Sequence, residues 1–338
     1  MSVKFHLPGL RNNFPLNMLL VDLMEKSPEM FREGIKIASM FGEFPTSRWN
    51  GGRFNQGDQC NAKYIRGVIA AINGKGIPIR YTYTNPLLTE ADLSDEYCNF
   101  CMQAADNGMN EVIVVSDILE EYIRKTYPGF KIISSTCKEI KNMNVLNAEL
   151  AKDYKLVVLD YNLNNQFEKL EQIKDKDRCE LLVNCCCRPE CPRRGEHYRF
   201  MAKQEQIALK NRKMPLDKQI PIPRWYCEYG EKTSLYTLKN YRTHISPEAI
   251  WDVYVPMGFS NFKLEGRTAN IFLLIDTYAY YFAKPEYRDE VRFLLTTNLE
   301  ANKVIVVNSV CSLSNLFFRF HTTTLTEACS NELKQHHL

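Results

Sequence analysis

Apolar residues in this chain fall into short blocks separated by longer stretches of helical period. Eight blocks rich in β-branched and aromatic residues read as strands: Lys4–Leu7, Ile35–Phe41, Ile77–Thr82, Glu111–Val115, Lys131–Ser134, Leu156–Asp160, Glu180–Asn184 and Phe262–Leu264. Most are continuous runs rather than alternations, the pattern of strands covered on both faces of a parallel sheet. Between them the apolar spacing predicts helices, for example over Gln56–Asn73, Thr89–Asn107 and Asp117–Thr126. The ends carry chemical punctuation. T-E-A-D from Thr89 to Asp92 has capping-box spacing. Ser27-Pro28-Glu29 puts proline at a first helical position, where its missing N–H costs nothing. Lys75-Gly76 and Asn107-Gly108 end their helices on residues that tolerate left-handed backbone.

Strand and helix alternating in this way predict an α/β fold closed as a TIM-like (β/α)8 barrel. An open doubly wound sheet is the alternative, but no G-x-G-x-x-G follows the first strand. Two segments break the rhythm. A long insertion, 188–250, separates strands seven and eight, and connections of that length are usually functional or separately folded. Residues 1–303 thus form the expected barrel, insertion included, and 304–338 a C-terminal extension. The extension starts strand-like at V-I-V-V and ends in a polar tail expected to be partly flexible.

With 338 residues, 45% of them hydrophobic, the chain can bury a barrel core. Forty-three basic against 40 acidic residues leave a formal charge of +3, too little for a global field toward nucleic acid or membrane, so such a partner has to be met by a local patch. The N-terminus lacks a secretory signal and no apolar stretch reaches membrane-spanning length, which predicts a cytoplasmic chain without membrane contact. In that compartment the 12 cysteines stay reduced, which favours metal binding or chemistry over cross-links.

In a barrel, side chains just past the strand ends converge on one face, where the chemistry is done. Those positions hold Glu43, Arg48 and Arg53 after the second strand, then Thr84 and Asn85, Ser116 and Asp117, Ser134 and Ser135, Asp160 and Asn162, Asn184 with Cys187, and finally Glu265 and Arg267. Some of them cap helices instead, as Ser116, Asp117 and Ser135 can. Arg48, Arg53 and Arg267 are suited to gripping a carboxylate or phosphate, with Asn85 and Asn184 as further substrate contacts. Glu43, Asp160 and Glu265 are the candidates for proton transfer.

The densest chemistry lies in V-N-C-C-C-R-P-E-C-P-R-R-G-E-H-Y, from Val183 to Tyr198. Cys187 and Cys191 are four apart, so a helix following the strand would align their sulfurs and set Cys187 near a thiolate-favouring N-terminus. Cys227 returns from the insertion as a third thiol. Soft sulfur donors point to a [4Fe-4S] cluster, with zinc as the alternative if His197 completes a Cys3His set. A fourth cluster ligand could come from Cys186, Cys137 or Cys60. Cys98 and Cys101, spaced C-N-F-C, fall mid-helix and read as core.

Two of these stretches carry a family likeness. E-L-L-V-N-x-x-C-x-x-x-C-P-x-R-x-x-H-Y from Glu180 to Tyr198, followed by I-S-P-E-A-I-W-D-V-Y and F-K-L-E-G-R between Ile245 and Arg267, resembles the collagenase-like peptidase family, peptidase family 32 of unassigned mechanism. T-Y-T-N-P-L-L, V-V-S-D-I-L-E-E-Y-I-R and V-V-L-D-Y-N-L-N are similar to its divergent stand-alone members, so that the resemblance spans about residues 1 to 285. It implies a TIM-like barrel and, in several branches, a [4Fe-4S] cluster on four cysteines. Those branches are implicated in oxygen-independent hydroxylation of RNA bases or quinone precursors, with prephenate as an oxygen source for the RNA reactions. Other members carry a peptidase label. By position, Cys187, Cys191 and Cys227 match the cysteine-bearing segments. Cys185 and Cys186 depart from the pattern.

Three functions follow as expectations. The first is an iron–sulfur barrel enzyme, hydroxylase-like or otherwise redox-active, acting on RNA or a small anionic or aromatic substrate. In it Cys187, Cys191, Cys227 and Cys186 hold the cluster. The second is a peptidase-type hydrolase using Cys187 or a metal-bound water, although no H-E-x-x-H or G-x-S-x-G supports it. The third is a non-catalytic metal-binding or assembly module.

Overall fold

The computed structural model describes residues 2–45, 47–52, 60–227, 235–266, 270–302, 305–307 and 320–322. Eight parallel strands close into a barrel in chain order: β1 (Val3–Pro8), β2 (Ile35–Gly42), β3 (Ile79–Tyr83), β4 (Glu111–Val114), β5 (Lys131–Ser134), β6 (Leu156–Val158), β7 (Cys179–Leu182) and β8 (Asn261–Lys263), which pairs back onto β1. All eight apolar blocks are strands, with ends that differ from the expectation by a few residues. The TIM-like barrel, the insertion after β7 and the C-terminal extension are all present.

The helices are α1 (Phe14–Lys26), α2 (Ala62–Gly74), α3 (Glu96–Ala105), α4 (Asp117–Thr126), α5 (Met143–Leu150), α6 (Phe167–Glu171), α7 (Arg194–Asn211), the short α8 (Leu235–Leu238) and α9 (Pro247–Ala249), then α10 (Ile271–Phe282) and α11 (Arg288–Ala301). One expected helix divides in two. The Thr89 amide and hydroxyl both donate to Asp92 Oδ2 at 2.9 Å, closing a 3-10 turn over Glu90–Ser94. Asp95 then caps α3 by accepting from the Cys98 amide at 2.9 Å. The expected box at Thr89 thus starts the 3-10 turn, and a second carboxylate one turn on caps the helix that follows. Likewise α2 starts at Ala62, where Asn61 accepts from the Tyr64 amide; Gln56, its expected start, lies outside the described residues.

The barrel interior is not wholly apolar. Arg80, Glu111 and Glu180 are fully buried. Arg80 Nε donates to Glu111 Oε2 at 2.6 Å, and its Nη1 pairs with Glu180. Lys155 also pairs with Glu111, Lys263 Nζ stands 3.6 Å from Glu180 Oε1, and His6 Nε2 is 3.2 Å from Glu180 Oε2. Buried charge of this kind is tolerated because each carboxylate has a cation beside it. Burial, reinforced by Arg80, lowers His6 to about 3, so its ring is neutral. Cys98 and Cys101 are buried in α3, and burial raises both thiols, Cys101 to about 12.

The chain divides into two compact units. One comprises residues 1–14 and 33–268 and contains the barrel and insertion; the other comprises 15–32 and 269–338. The sequence reading set off only residues 304–338. In the second unit Tyr278, buried in α10, donates its hydroxyl to Asn17 Oδ1 of α1 at 2.5 Å. Phe31 and Ala283 form an antiparallel bridge, and β9 (Ile305–Val307) pairs with β10 (Phe320–Thr322). No helix among the described residues is long and apolar enough to cross a membrane.

Candidate active site at the C-terminal mouth of the barrel

The loop after β2 is built around Trp49. Its indole is buried, edge-on to Tyr83 at 5.3 Å and to Tyr122 at 5.8 Å, and its Nε1 donates to the Asp92 carbonyl at 2.7 Å. Asn50 next to it donates to the Thr82 carbonyl at 3.0 Å. The following glycines allow two close approaches. A Cβ on Gly51 would come 2.8 Å from the Thr84 carbonyl oxygen, and one on Gly52, whose φ is +90°, would come 3.0 Å from the Met201 carbonyl oxygen. The loop is therefore seated on the end of β3 and against α7.

The other end of α7 reaches the opposite strands. Arg194, buried, donates from Nη1 to Asp160 Oδ2 at 2.7 Å and from Nη2 to the Thr136 carbonyl at 2.9 Å; its Nε donates to the Tyr198 hydroxyl at 2.8 Å. Its guanidinium carbon also lies 4.1 Å above the Tyr161 ring. Thr136 follows β5 and Asp160 follows β6, so α7 runs across the mouth from those strands to the β2 loop. Arg194, Tyr198, Ala202 and Glu205 share one helical face. The face that α7 buries is thus partly charged.

Glu205 is the member of that face without a full set of partners. It is 5% exposed, and its Oε1 has no hydrogen-bond partner. Burial pushes its carboxyl up to about 8, with Arg212 pulling it down and the like charge of Glu43 pushing it further up. Glu43 is itself buried and accepts the Thr82 hydroxyl at 2.5 Å.

Other expected site residues are built into the walls. Arg48 is held by Asp92 at 2.7 Å and Asp95 at 3.5 Å, which makes it a loop anchor. Asn85 donates to the Arg48 carbonyl at 2.8 Å and accepts from the Leu87 amide at 2.9 Å. Asn184 exchanges two bonds with the Glu265 backbone, at 3.1 and 2.7 Å, while the Glu265 carboxylate accepts the Cys186 amide at 2.8 Å. Asp160 is committed to Arg194 and to the Asn162 amide. Arg53 and Arg267 lie outside the described residues.

The cysteine segment differs from its expectation. No helix begins at Cys187; the chain from Asn184 to Arg193 is loop, Glu190 takes a left-handed conformation with φ of 51°, and α7 starts only at Arg194. Pro189 and Pro192 on either side of that residue discourage a continuous turn. Without a helix N-terminus beneath it, Cys187 packs against Tyr161, Leu182 and Cys185. Burial pushes its thiol up to about 11, against the pull of the Tyr161 hydroxyl and with Cys191 and Glu265 pushing further up. A thiol held that high is a poor nucleophile at neutral pH. The ring of His197 is stacked on Trp225 at 4.8 Å.

Among the described residues no three His, Cys, Asp or Glu side chains come together as a metal-ligand group. Cys186, Cys187, Cys191 and Cys227 do not form such a group in this arrangement, nor do Cys187, Cys191 and Cys227 with His197.

Sequence reasoning missed Arg194 and Glu205. The available signal was their shared helical face with Ala202 and Ala208, small residues that let a helix approach its support closely.

No protein-family model matches this chain, and no curated protein does. Among solved structures it is similar to the U32 peptidase Mk0906, at 10% sequence identity and a TM-score of 0.45, over 79% of this chain and 93% of that one.

Proposed function

We propose that this chain is a TIM-barrel enzyme acting on nucleic acid, with single-stranded RNA as the substrate that the insertion brings to the barrel mouth. The observation that carries this reading is the local charge of residues 188–227. They hold ten Lys and Arg against four Asp and Glu, whereas the whole chain carries only +3. This is the kind of local patch that a near-neutral protein needs in order to hold a polyanion. Arg199, Lys203, Lys210, Lys213, Lys218 and Arg224 are exposed there.

Aromatic side chains are interleaved with the charge. The Arg193 guanidinium lies 4.3 Å from the Trp225 ring, Phe200 packs on the same indole at 5.0 Å, and Tyr226 beside it is 69% exposed. Single-stranded nucleic acid is commonly held by such a pairing of cationic groove and stacking platform. For the reaction we infer base modification of the hydroxylase-like kind that the family resemblance implies. This chain's own residues contribute binding and proton transfer to it. Peptide hydrolysis through Cys187 is less well supported, because its thiol is held protonated.

Fluorescence anisotropy with a labelled single-stranded RNA tests the reading. Binding should weaken steeply with salt, and Trp225→Ala combined with Arg193→Ala should weaken it roughly tenfold or more. RNA binding that is undetectable, or insensitive to salt, would sink it.

A further inference from the structure

The barrel interior holds three buried polar atoms without a hydrogen-bond partner among the described residues: His6 Nε2, Arg80 Nη2 and Glu180 Oε1. They come from β1, β3 and β7, and all three gather around one oxygen, Glu180 Oε2. Arg80 Nη1 pairs with that oxygen, so Arg80 Nη2 and Glu180 Oε1 are the second atoms of the two forks that meet there. His6 Nε2 approaches it to 3.2 Å without hydrogen-bond geometry, while Nδ1 of the same ring is bonded to Ser39 Oγ at 2.8 Å. Lys263 Nζ, 3.6 Å from Glu180 Oε1, is beyond hydrogen-bond reach of it. His6, Arg80 and Glu180 are at most 1% exposed, so bulk solvent does not serve these atoms. Buried polar groups left bare are costly, and in folded proteins something ordinarily satisfies them.

The chemistry of the three atoms narrows what can sit among them. Arg80 Nη2 only donates and the carboxylate oxygen Glu180 Oε1 only accepts, while His6 Nε2 does either according to its tautomer. A ligand here must both accept and donate, which a bare ion of either sign cannot do. Charge agrees. In the interior Arg80 and Lys263 balance Glu111 and Glu180, Lys155 reaches Glu111 from the solvent side, and the His6 ring is neutral, so no large surplus calls for a counter-ion. We propose that one ordered water occupies the barrel interior between β1, β3 and β7, accepting from Arg80 Nη2, donating to Glu180 Oε1 and making its third bond to His6 Nε2. Three partners are typical of a buried water. Either His6 tautomer serves, because the Ser39 hydroxyl turns to donate or accept at Nδ1 in step. The water thereby joins the Ser39–His6 pair and the Arg80–Glu111–Glu180 group into one network that ties five strands together. The site is independent of the nucleic-acid reading.

A high-resolution crystal structure of the full chain, from crystals grown in bromide, tests the site. A water peak is expected roughly 2.7–3.2 Å from Arg80 Nη2, Glu180 Oε1 and His6 Nε2, with no anomalous bromide signal. In solution, oxygen-17 relaxation dispersion should count one fewer long-lived internal water in His6→Phe than in the wild-type chain, because a phenyl ring keeps the shape but offers the water no third bond. If His6→Phe does not fold, the wild-type structure decides alone. The proposal is overturned by density that shows no water at that position, by the three atoms bonding directly to protein groups, by a bromide peak, or by a water count that His6→Phe leaves unchanged.

Discussion

Two buried glutamates in the barrel unit have opposite fates. Glu180, on β7, lies in the barrel interior, and Glu205, on α7, lies over the mouth. Burial pushes both carboxyls toward protonation. For Glu180 that push is more than offset by Arg80 and Lys263, which bring it down to about 2. Glu205 faces Arg212 but also Glu43, and it rises to about 8. The first is a permanent anion that ties strands together, and the second is a stored proton. Depth in the molecule does not distinguish them; the neighbouring charge does.

Removing the cation from the interior should have the largest effect. Arg80→Met leaves Glu111 and Glu180 facing each other without their shared guanidinium, and unfolding in urea should show a loss of about 5 kcal/mol or failure to fold. Retention of wild-type stability would mean that Lys155 and Lys263 suffice for the two carboxylates.

Stability against pH separates the two glutamates by sign. Glu180 has its pKa depressed on folding, so its contribution is present above the unfolded value of about 4.5 and is lost as pH falls toward about 2. Glu205 has its pKa raised, so the folded state binds more protons between about 4.5 and about 8, and stability falls as pH rises through that window. The fall amounts to roughly 5 kcal/mol by the usual conversion, and Glu205→Gln should flatten it. Thermal unfolding across this range measures both limbs; an alkaline limb unchanged in Glu205→Gln would assign it to other groups.

The smallest effect is expected at Arg48, whose side chain is 39% exposed in its pairs with Asp92 and Asp95. Arg48→Ala should cost less than about 1 kcal/mol, because exposed ion pairs are screened. A larger loss in chemical denaturation would show that this anchor governs the whole Trp49 loop.

The barrel was legible in the sequence because every strand is a block of apolar residues, a signal that survives without knowledge of its partners. The chemistry was less so. Cys187 and Cys191 have helical spacing, yet Pro189, Pro192 and a left-handed Glu190 hold the segment as loop, and burial then keeps the Cys187 thiol protonated. Arg48, Asn85 and Asn184 stand at strand ends as expected, but their donors and acceptors are spent on neighbouring loops. Glu205 sits in a polar run that reads as solvent-facing helix, because local sequence does not reveal that a barrel mouth lies beneath it.

The polar inner face of α7 has a consequence for how the molecule comes together. A helix that docks through an arginine, a glutamic acid and small alanines has little apolar stripe to drive early collapse. Its stability must come from a surface that already exists, namely the completed ring of strand ends with Asp160, Thr136 and Gly52 in position. The roof of the mouth would then close last in folding and open first in unfolding. That makes this helix the natural part of the barrel unit to yield first when the protein opens locally.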